Sequence, residues 1–251
     1  MKAFVRNKWK QSDSGKWYAE MLTVDKNGFD VEKLEKGLEL NFEVGGKRRC
    51  TGYWNKDREM VPCPGFREIN RGSQCRECKN RDIYNDYVEG EGKSPRDEES
   101  HSVYLVQSGD AVKVGVVRTA RKEKRWVEQG ADWAVEIYSG LTSLEALKKE
   151  KEISKKGYSQ RIRKESKINN RNSNNLEKTV EKLGHKTKEI ENVKDRTIYP
   201  EINTSKLQRT GLFSGTVQSV KGNIIYTRNQ SIALTEGKVL EKPKQKGLNS
   251  Y

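Results

Sequence analysis

Four cysteines, Cys50, Cys63, Cys75 and Cys78, fall within 29 consecutive residues, and the other 222 positions hold none. Their spacing, C-x12-C-x11-C-x2-C, ends in a close pair that can offer two thiolates to one tetrahedral cation, because a tight turn brings both sulfurs to the same point. Turn-forming residues stand where such a loop needs them: Thr51-Gly52 after the first cysteine, Pro62 and Pro64-Gly65 around the second. Four thiolates complete the coordination of zinc, so this site is expected to be structural and not catalytic. A disulfide pair is the competing account, and it needs an oxidising compartment. Tyr53, Trp54, Lys56, Arg58, Phe66, Arg67, Arg71, Arg76 and Lys79 lie among and just after the ligands. Interleaved like this, they can stack bases and neutralise phosphates, or the aromatics can serve as the core of a small module.

A second set of reactive groups lies between residues 101 and 157. Ala146, Glu150 and Ile153 recur at i, i+4 and i+7, so Glu150 interrupts an apolar helix face, whereas Glu145, Lys149 and Glu152 share a charged one. A carboxylate aimed at the body of a fold must be ion-paired, protonated or metal-bound. The two open readings of Glu150 are a structural pair with an arginine and a ligand to a divalent cation. Arg118, Arg121 or Lys122, and Arg125 recur at helical spacing and gather positive charge suited to phosphate, or to a solvated face. If Ser108-Gly109 forms a two-residue turn that pairs Gln107 with Asp110, Tyr104 faces Lys113 across a hairpin, where phenol and ammonium could orient a water or simply form a cross-strand pair. Gly115 leaves room for close approach to the backbone.

The elements that must position these groups are legible in the same segment. Ser102–Gln107 and Ala111–Val117 read as a β-hairpin, Thr119 as the cap of a helix ended by Gly130, and Trp133–Tyr138 as a third strand. Thr142-Ser143-Leu144-Glu145 is a capping box opening a helix that Gly157 ends. The order is ββαβα. At these residues, Val103-Tyr104-Leu105, Lys113-Val114-Gly115, Glu123-Lys124-Arg125-Trp126 and Ala146-x3-Glu150-x2-Ile153, the chain resembles the GIY-YIG nuclease superfamily over 101–156. The resemblance implies Arg125 as the group that stabilises the scissile phosphate, Glu150 as the ligand of Mg²⁺ or Mn²⁺, and Tyr104 as an activator of water. Ser102 stands where the first motif has glycine, and Lys113 where the second has tyrosine. The arrangement as a whole also resembles a prokaryotic, largely archaeal family of Cys-rich proteins of unknown function.

Around this core the text divides into a β-rich zinc module over 1–88, a linker over 89–100, the α/β unit over 101–157, a basic linker over 158–175, a helix and β-rich segment over 176–242, and a tail over 243–251. The fold class expected is α+β. Leu176, Val180 and Leu183 mark a short helix before Gly184, and Leu212–Leu240 alternates like strands with turns at Lys221-Gly222-Asn223 and Glu236-Gly237. The N- and C-terminal β segments fit either two small sheets or one shared sheet.

Lys and Arg number 50 against 36 Asp and Glu, a net charge of +14, which points to a polyanionic partner, DNA or RNA. No apolar run is long enough to span a membrane and the start lacks a signal-peptide core, so a reducing cytoplasm is the expected compartment. The reading is a zinc-stabilised nucleic-acid-binding protein with a metal-dependent phosphodiesterase unit. The alternative is an RNA- or ribosome-associated protein that uses the same fold without turnover. A protein-interaction scaffold accounts for the zinc and leaves the charge unexplained.

Overall fold

The computed structural model describes residues 1–85, 98–168, 173–185, 188–201 and 206–243. All but the last three residues of the expected 89–100 linker, and all but Pro243 of the expected tail, lie outside these.

The alternating text of the first 49 residues becomes β1 (Lys2–Gln11), β2 (Trp17–Asp25), β3 (Gly28–Lys33) and β4 (Glu39–Arg49). The period-2 pattern is visible in β4, where Leu40, Phe42 and Val44 are buried. After the Cys-rich segment, with its short strands β5 (Tyr53–Trp54), β6 (Met60–Val61) and β7 (Glu68–Ile69) and helix α1 (Arg76–Arg81), comes the hairpin of β8 (His101–Ser108) and β9 (Ala111–Arg118). Helix α2 (Lys122–Glu128), strand β10 (Trp133–Leu141) and helix α3 (Ser143–Lys155) follow, so the ββαβα order read from the sequence is present. Helix α4 (Asn175–Lys182) buries Leu176 and Val180 as the spacing requires. The chain then forms β11 (Glu191–Asn192), β12 (Gly211–Lys221), β13 (Ile224–Thr227), β14 (Ser231–Ala233) and β15 (Lys238–Glu241).

The two terminal β segments build one sheet of nine strands in the order β14-β13-β12-β4-β15-β1-β2-β3, with β7 attached to β4. Strand β15 is inserted between β1 and β4, pairing Leu240 with Lys2 on one side and with Val44 on the other. A second sheet, β11-β10-β8-β9, carries the α/β unit. All eight residues of β8 are buried because both faces are covered, which is why its centre, Val103-Tyr104-Leu105-Val106, is uninterrupted by a polar residue. Val103 and Leu105 join Ala146, Ile153, Leu176 and Val180 under α3 and α4, while Tyr104 and Val106 join Phe4, Trp9, Phe42, Trp126 and Phe213 in a core shared with the large sheet.

Two local expectations need correction. Thr119 does not cap a helix: residues Thr119–Arg121 form a 3-10 turn without a side-chain cap, and α2 begins at Lys122. The Thr119 hydroxyl is drawn instead to Ser102 Oγ at 2.7 Å, across the β8–β9 pair. The hairpin turn is Gly109-Asp110, because Ser108 pairs with Ala111, so Tyr104 lies opposite Gly115 and not Lys113. Gly109 has φ +61° and its N–H donates to Asp132 Oδ2 at 2.7 Å, which suits a turn with glycine at its first central position. The shift is two residues along β9, so side-chain parity is preserved: Lys113 stays on the Tyr104 face, diagonally displaced.

Candidate functional site

The four cysteines come together from three stretches of chain. Cys50 directly follows β4, Cys63 follows β6, Cys75 precedes the first residue of α1 and Cys78 lies inside that helix. Gly52 makes the first approach possible, since it has φ +109° and a Cβ there would fall 1.9 Å from the Val61 carbonyl oxygen. All four side chains are buried, none is in a disulfide, and their sulfurs lie within 4.8 Å of one another. Cys63 Sγ and Cys75 Sγ are 4.0 Å apart, far beyond a disulfide bond and close to the edge of about 3.8 Å that a tetrahedron with metal–sulfur bonds of about 2.3 Å requires. The backbone N–H of Cys75 donates to Cys50 Sγ at 3.1 Å, orienting that sulfur. Burial pushes the Cys50 thiol up to about 11 and the Cys78 thiol higher still, so four thiolates in this space require a compensating cation. The donor set therefore fits a metal ion. The module is tied to the large sheet by Thr51 Oγ1, which donates to Glu236 Oε1 at 3.1 Å, and by Arg48 Nε, which donates to the Gly72 carbonyl at 2.8 Å.

The aromatic and basic residues of this segment are mostly spent on one another. Trp54 packs edge-on to Tyr84 and receives the Arg6 guanidinium over its ring, Arg49 covers Phe66, and Arg67 and Arg81 both pair with Glu77.

A second concentration of reactive groups straddles β9. The Tyr104 ring lies on Gly115, where an added Cβ would sit 2.5 Å from the phenol oxygen, and packs edge-on against Trp126. Its hydroxyl accepts from Gln129 Nε2 at 2.8 Å. Burial pushes the phenol above its ordinary range, against the pull of Arg125. Lys113 donates to the Gln160 carbonyl at 3.4 Å; burial, helped by repulsion from Arg125 and opposed by Glu150, brings its ammonium down to about 8. Glu150 projects from α3, whose Ala146 and Ile153 pack on the sheet face opposite Tyr104, so the carboxylate acts on Lys113 across the edge strand. Burial raises its pKa and Lys113 lowers it. Among the described residues Glu150 has neither a hydrogen bond nor an ion pair. The structural pair with an arginine, one of its two readings, is thus not formed. Substituting Gly115 by alanine is expected to force Tyr104 off the sheet and cost about 1–3 kcal/mol by overpacking, measured by denaturant unfolding; an unchanged midpoint would mean that the ring is not fixed there.

The remaining basic residues behave differently. Arg118 is ion-paired with Glu99, Arg121 with Glu128 at 3.2 Å, and Lys122 with Glu136 at 2.7 Å. Arg125 reaches the same Glu128 at 3.5 Å and keeps about half of its side chain exposed. The positive array of the sequence is accordingly a set of ion pairs at the end of β9, in the following 3-10 turn and on α2, with Arg125 the member that acts on Tyr104. Glu145 is not a free solvent residue: it accepts from the Thr142 backbone N–H at 2.8 Å and closes the capping box of α3.

A family model described as a protein of unknown function, DUF2797, matches residues 37–241. The chain belongs to the DUF2797 family. Neither a curated protein nor a solved structure matches it. The DUF2797 match takes in all four cysteines, the whole Tyr104–Glu150 cluster and β15, which locks the C-terminal end beside β1. Two residues of this DUF2797 chain that sequence spacing did not single out belong to the cluster. Gln129 holds the Tyr104 phenol, and Lys167 donates from its ammonium to the Gln129 carbonyl. Gln129 was legible only as a residue before a helix-ending glycine, and Lys167 only as one more lysine in a basic stretch. No helix of the described residues is long and apolar enough to cross a membrane.

Proposed function

We propose that this protein binds nucleic acid, that zinc is the cation held by Cys50, Cys63, Cys75 and Cys78, and that the cluster around β9 hydrolyses phosphodiester bonds with Mg²⁺ or Mn²⁺. The observation that carries the catalytic part is the unpaired Glu150 carboxylate acting on a depressed Lys113 ammonium beside Arg125. A half-buried carboxylate without a partner suits a hard divalent cation, which takes one or two carboxylates and completes its shell with water and phosphate oxygens. Such a cation, when bound, would polarise the phosphate and stabilise the charge that develops on it. Arg125 can balance negative charge on the phosphate oxygens, because its guanidinium remains half exposed. Lys113 at about 8 is neutral in roughly one molecule in ten at pH 7, enough for its amine to take a proton from water. Tyr104, kept protonated by burial and capped by Gln129, acts as a support for Arg125 more than as a base.

Incubation with labelled DNA and RNA in the presence of Mg²⁺, Mn²⁺ or EDTA tests the activity. Where cleavage is seen, its rate is expected to rise with pH and level off above an inflection near 8, as Lys113 loses its proton. In Lys113→Tyr the inflection should move toward about 10, the ordinary value of tyrosine. A wild-type profile that is flat through 8 would exclude Lys113 as the base.

The burial of Tyr104, 1% exposed, favours a second reading: a nucleic-acid-binding protein that retains this fold without turnover. Binding that persists in EDTA, with no metal-dependent cleavage of any substrate, would select it.

A further inference from the structure

Between the Cys-rich module and the Glu236-Gly237 turn before β15 lies a cavity of about 570 Å³, within the ~300–1,000 Å³ of ligand sites. Tyr53, Trp54 and Tyr84, all half-buried, line it together with Asp82 and Glu236. The two carboxylates differ. Asp82 is committed to the module: its Oδ2 accepts from Gln74 Nε2 at 2.6 Å and from the Trp54 N–H at 3.2 Å, and its Oδ1 from the Tyr84 N–H at 2.9 Å. Glu236 accepts through its side chain only from Thr51 Oγ1, at 3.1 Å, and has no ion pair among the described residues. The next residue fixes its position, since the Gly237 N–H donates to the Phe4 carbonyl at 2.7 Å and the Gly237 carbonyl accepts from the Arg49 N–H at 2.8 Å. A carboxylate has about four acceptor positions, so Glu236 keeps capacity for a ligand that donates.

Cations stand around this acceptor. Arg6 lies over the Trp54 ring and Arg81 over Tyr53, and Arg6 and Arg48 both act on the Glu236 carboxylate. They disfavour a cationic occupant and suit a neutral group joined to an anion. The bases of a nucleic acid are such groups, flat enough to stack on aromatic rings and guanidinium planes. Guanine presents two adjacent donors, N1–H and the 2-amino group, on the edge that a single strand leaves free. Adenine and cytosine present one donor there, and in thymine and uracil the donor lies between two carbonyls that a carboxylate repels. We propose that this cavity binds a guanine base of a single-stranded nucleic acid, its Watson–Crick edge on Glu236. This rests on the nucleic-acid reading above and adds to it a residue that reads the base.

The test is Glu236→Gln in the full chain, without chelator. Binding of short fluorescein-labelled oligothymidylates, each with one central guanine, adenine, cytosine or hypoxanthine, is followed by anisotropy over a range of salt, beside thermal unfolding. The wild type is expected to bind the guanine strand about 10-fold more tightly than the adenine or cytosine strand, the scale of one two-bond base contact. Hypoxanthine, which lacks the 2-amino group, should lose most of that preference. Glu236→Gln should bind all four strands alike, with the slope of log K against log salt unchanged because no phosphate contact is lost. Glutamine still accepts from Thr51, so the Tm is expected to hold. A lower Tm with affinity reduced equally for every base would mean that Glu236 only fastens the module, and would overturn the assignment. Wild-type binding without a guanine preference, or a preference that survives in Glu236→Gln, would overturn it while leaving the nucleic-acid reading standing. If the wild-type protein binds no oligonucleotide at low salt, both fail.

Discussion

Stripping the metal from the four-cysteine centre, or replacing Cys75 or Cys78 by serine, is expected to unfold residues 50–85 while the large sheet persists. The reason lies in where the module's stability comes from. Its own strands are two residues each, its helix has six residues, and its buried residues are chiefly the cysteines, with Tyr53 and Ile69 packed against them. A segment this poor in apolar contacts depends on its metal, and for structural zinc the binding free energy, on the order of 10 kcal/mol, is folding free energy. β4 does not depend on it, since Leu40–Val44 pair with β12 and Val44 also pairs with β15. Hydrogen exchange before and after chelation should show protection lost from 50–85, and from β7 in particular, but kept in β1, β2 and β12. Elemental analysis should find about one zinc per chain. A metal-free preparation with unchanged protection and Tm would rule out the metal-held module.

The second large effect concerns cleavage. Glu150→Ala and Arg125→Ala should each lower the rate of metal-dependent hydrolysis by at least ~10²-fold, the scale of losing one electrostatic stabiliser, with little change in the unfolding midpoint. The fold should tolerate both. Glu150 has no bonded partner among the described residues, and Arg125, with about half of its side chain exposed, reaches Glu128 at 3.5 Å and the Tyr104 phenol. Glu152 on the same helix is exposed and paired with Lys149, so Glu152→Ala is the variant expected to retain full activity. Glu145 cannot serve as that control, because its carboxylate caps α3. If Glu150→Ala cleaves as the wild type does, the carboxylate is not a metal ligand. If no form of the protein cleaves while binding survives in Glu150→Ala, the non-catalytic reading replaces the catalytic one.

What the sequence determined by itself is local. The capping box at Thr142 and Glu145, the short helix carrying Leu176 and Val180, and the two-residue period of β4 each depend on residues a few positions apart, and the cysteine cluster falls within 29 consecutive residues. The interactions that enforce them are nearest-neighbour ones. The interruption of an apolar helix face by Glu150 belongs to the same class. What only the tertiary structure decided depends on partners far apart in the chain. The hairpin register is fixed by Tyr104 needing the bare backbone of Gly115 and by Gly109 meeting Asp132. A reading of the turn residues alone placed the turn one residue early. The basic array of Arg118, Arg121 and Lys122 looked free because Glu99, Glu128 and Glu136, which neutralise it, are brought in by the fold. Lys167 joined the cluster for the same reason, from a stretch with no periodicity to mark it. The single nine-stranded sheet followed from β15 finding the open edges of β1 and β4: unpaired backbone N–H and C=O groups will accept any strand that reaches them, and strand patterning carries no record of which one does.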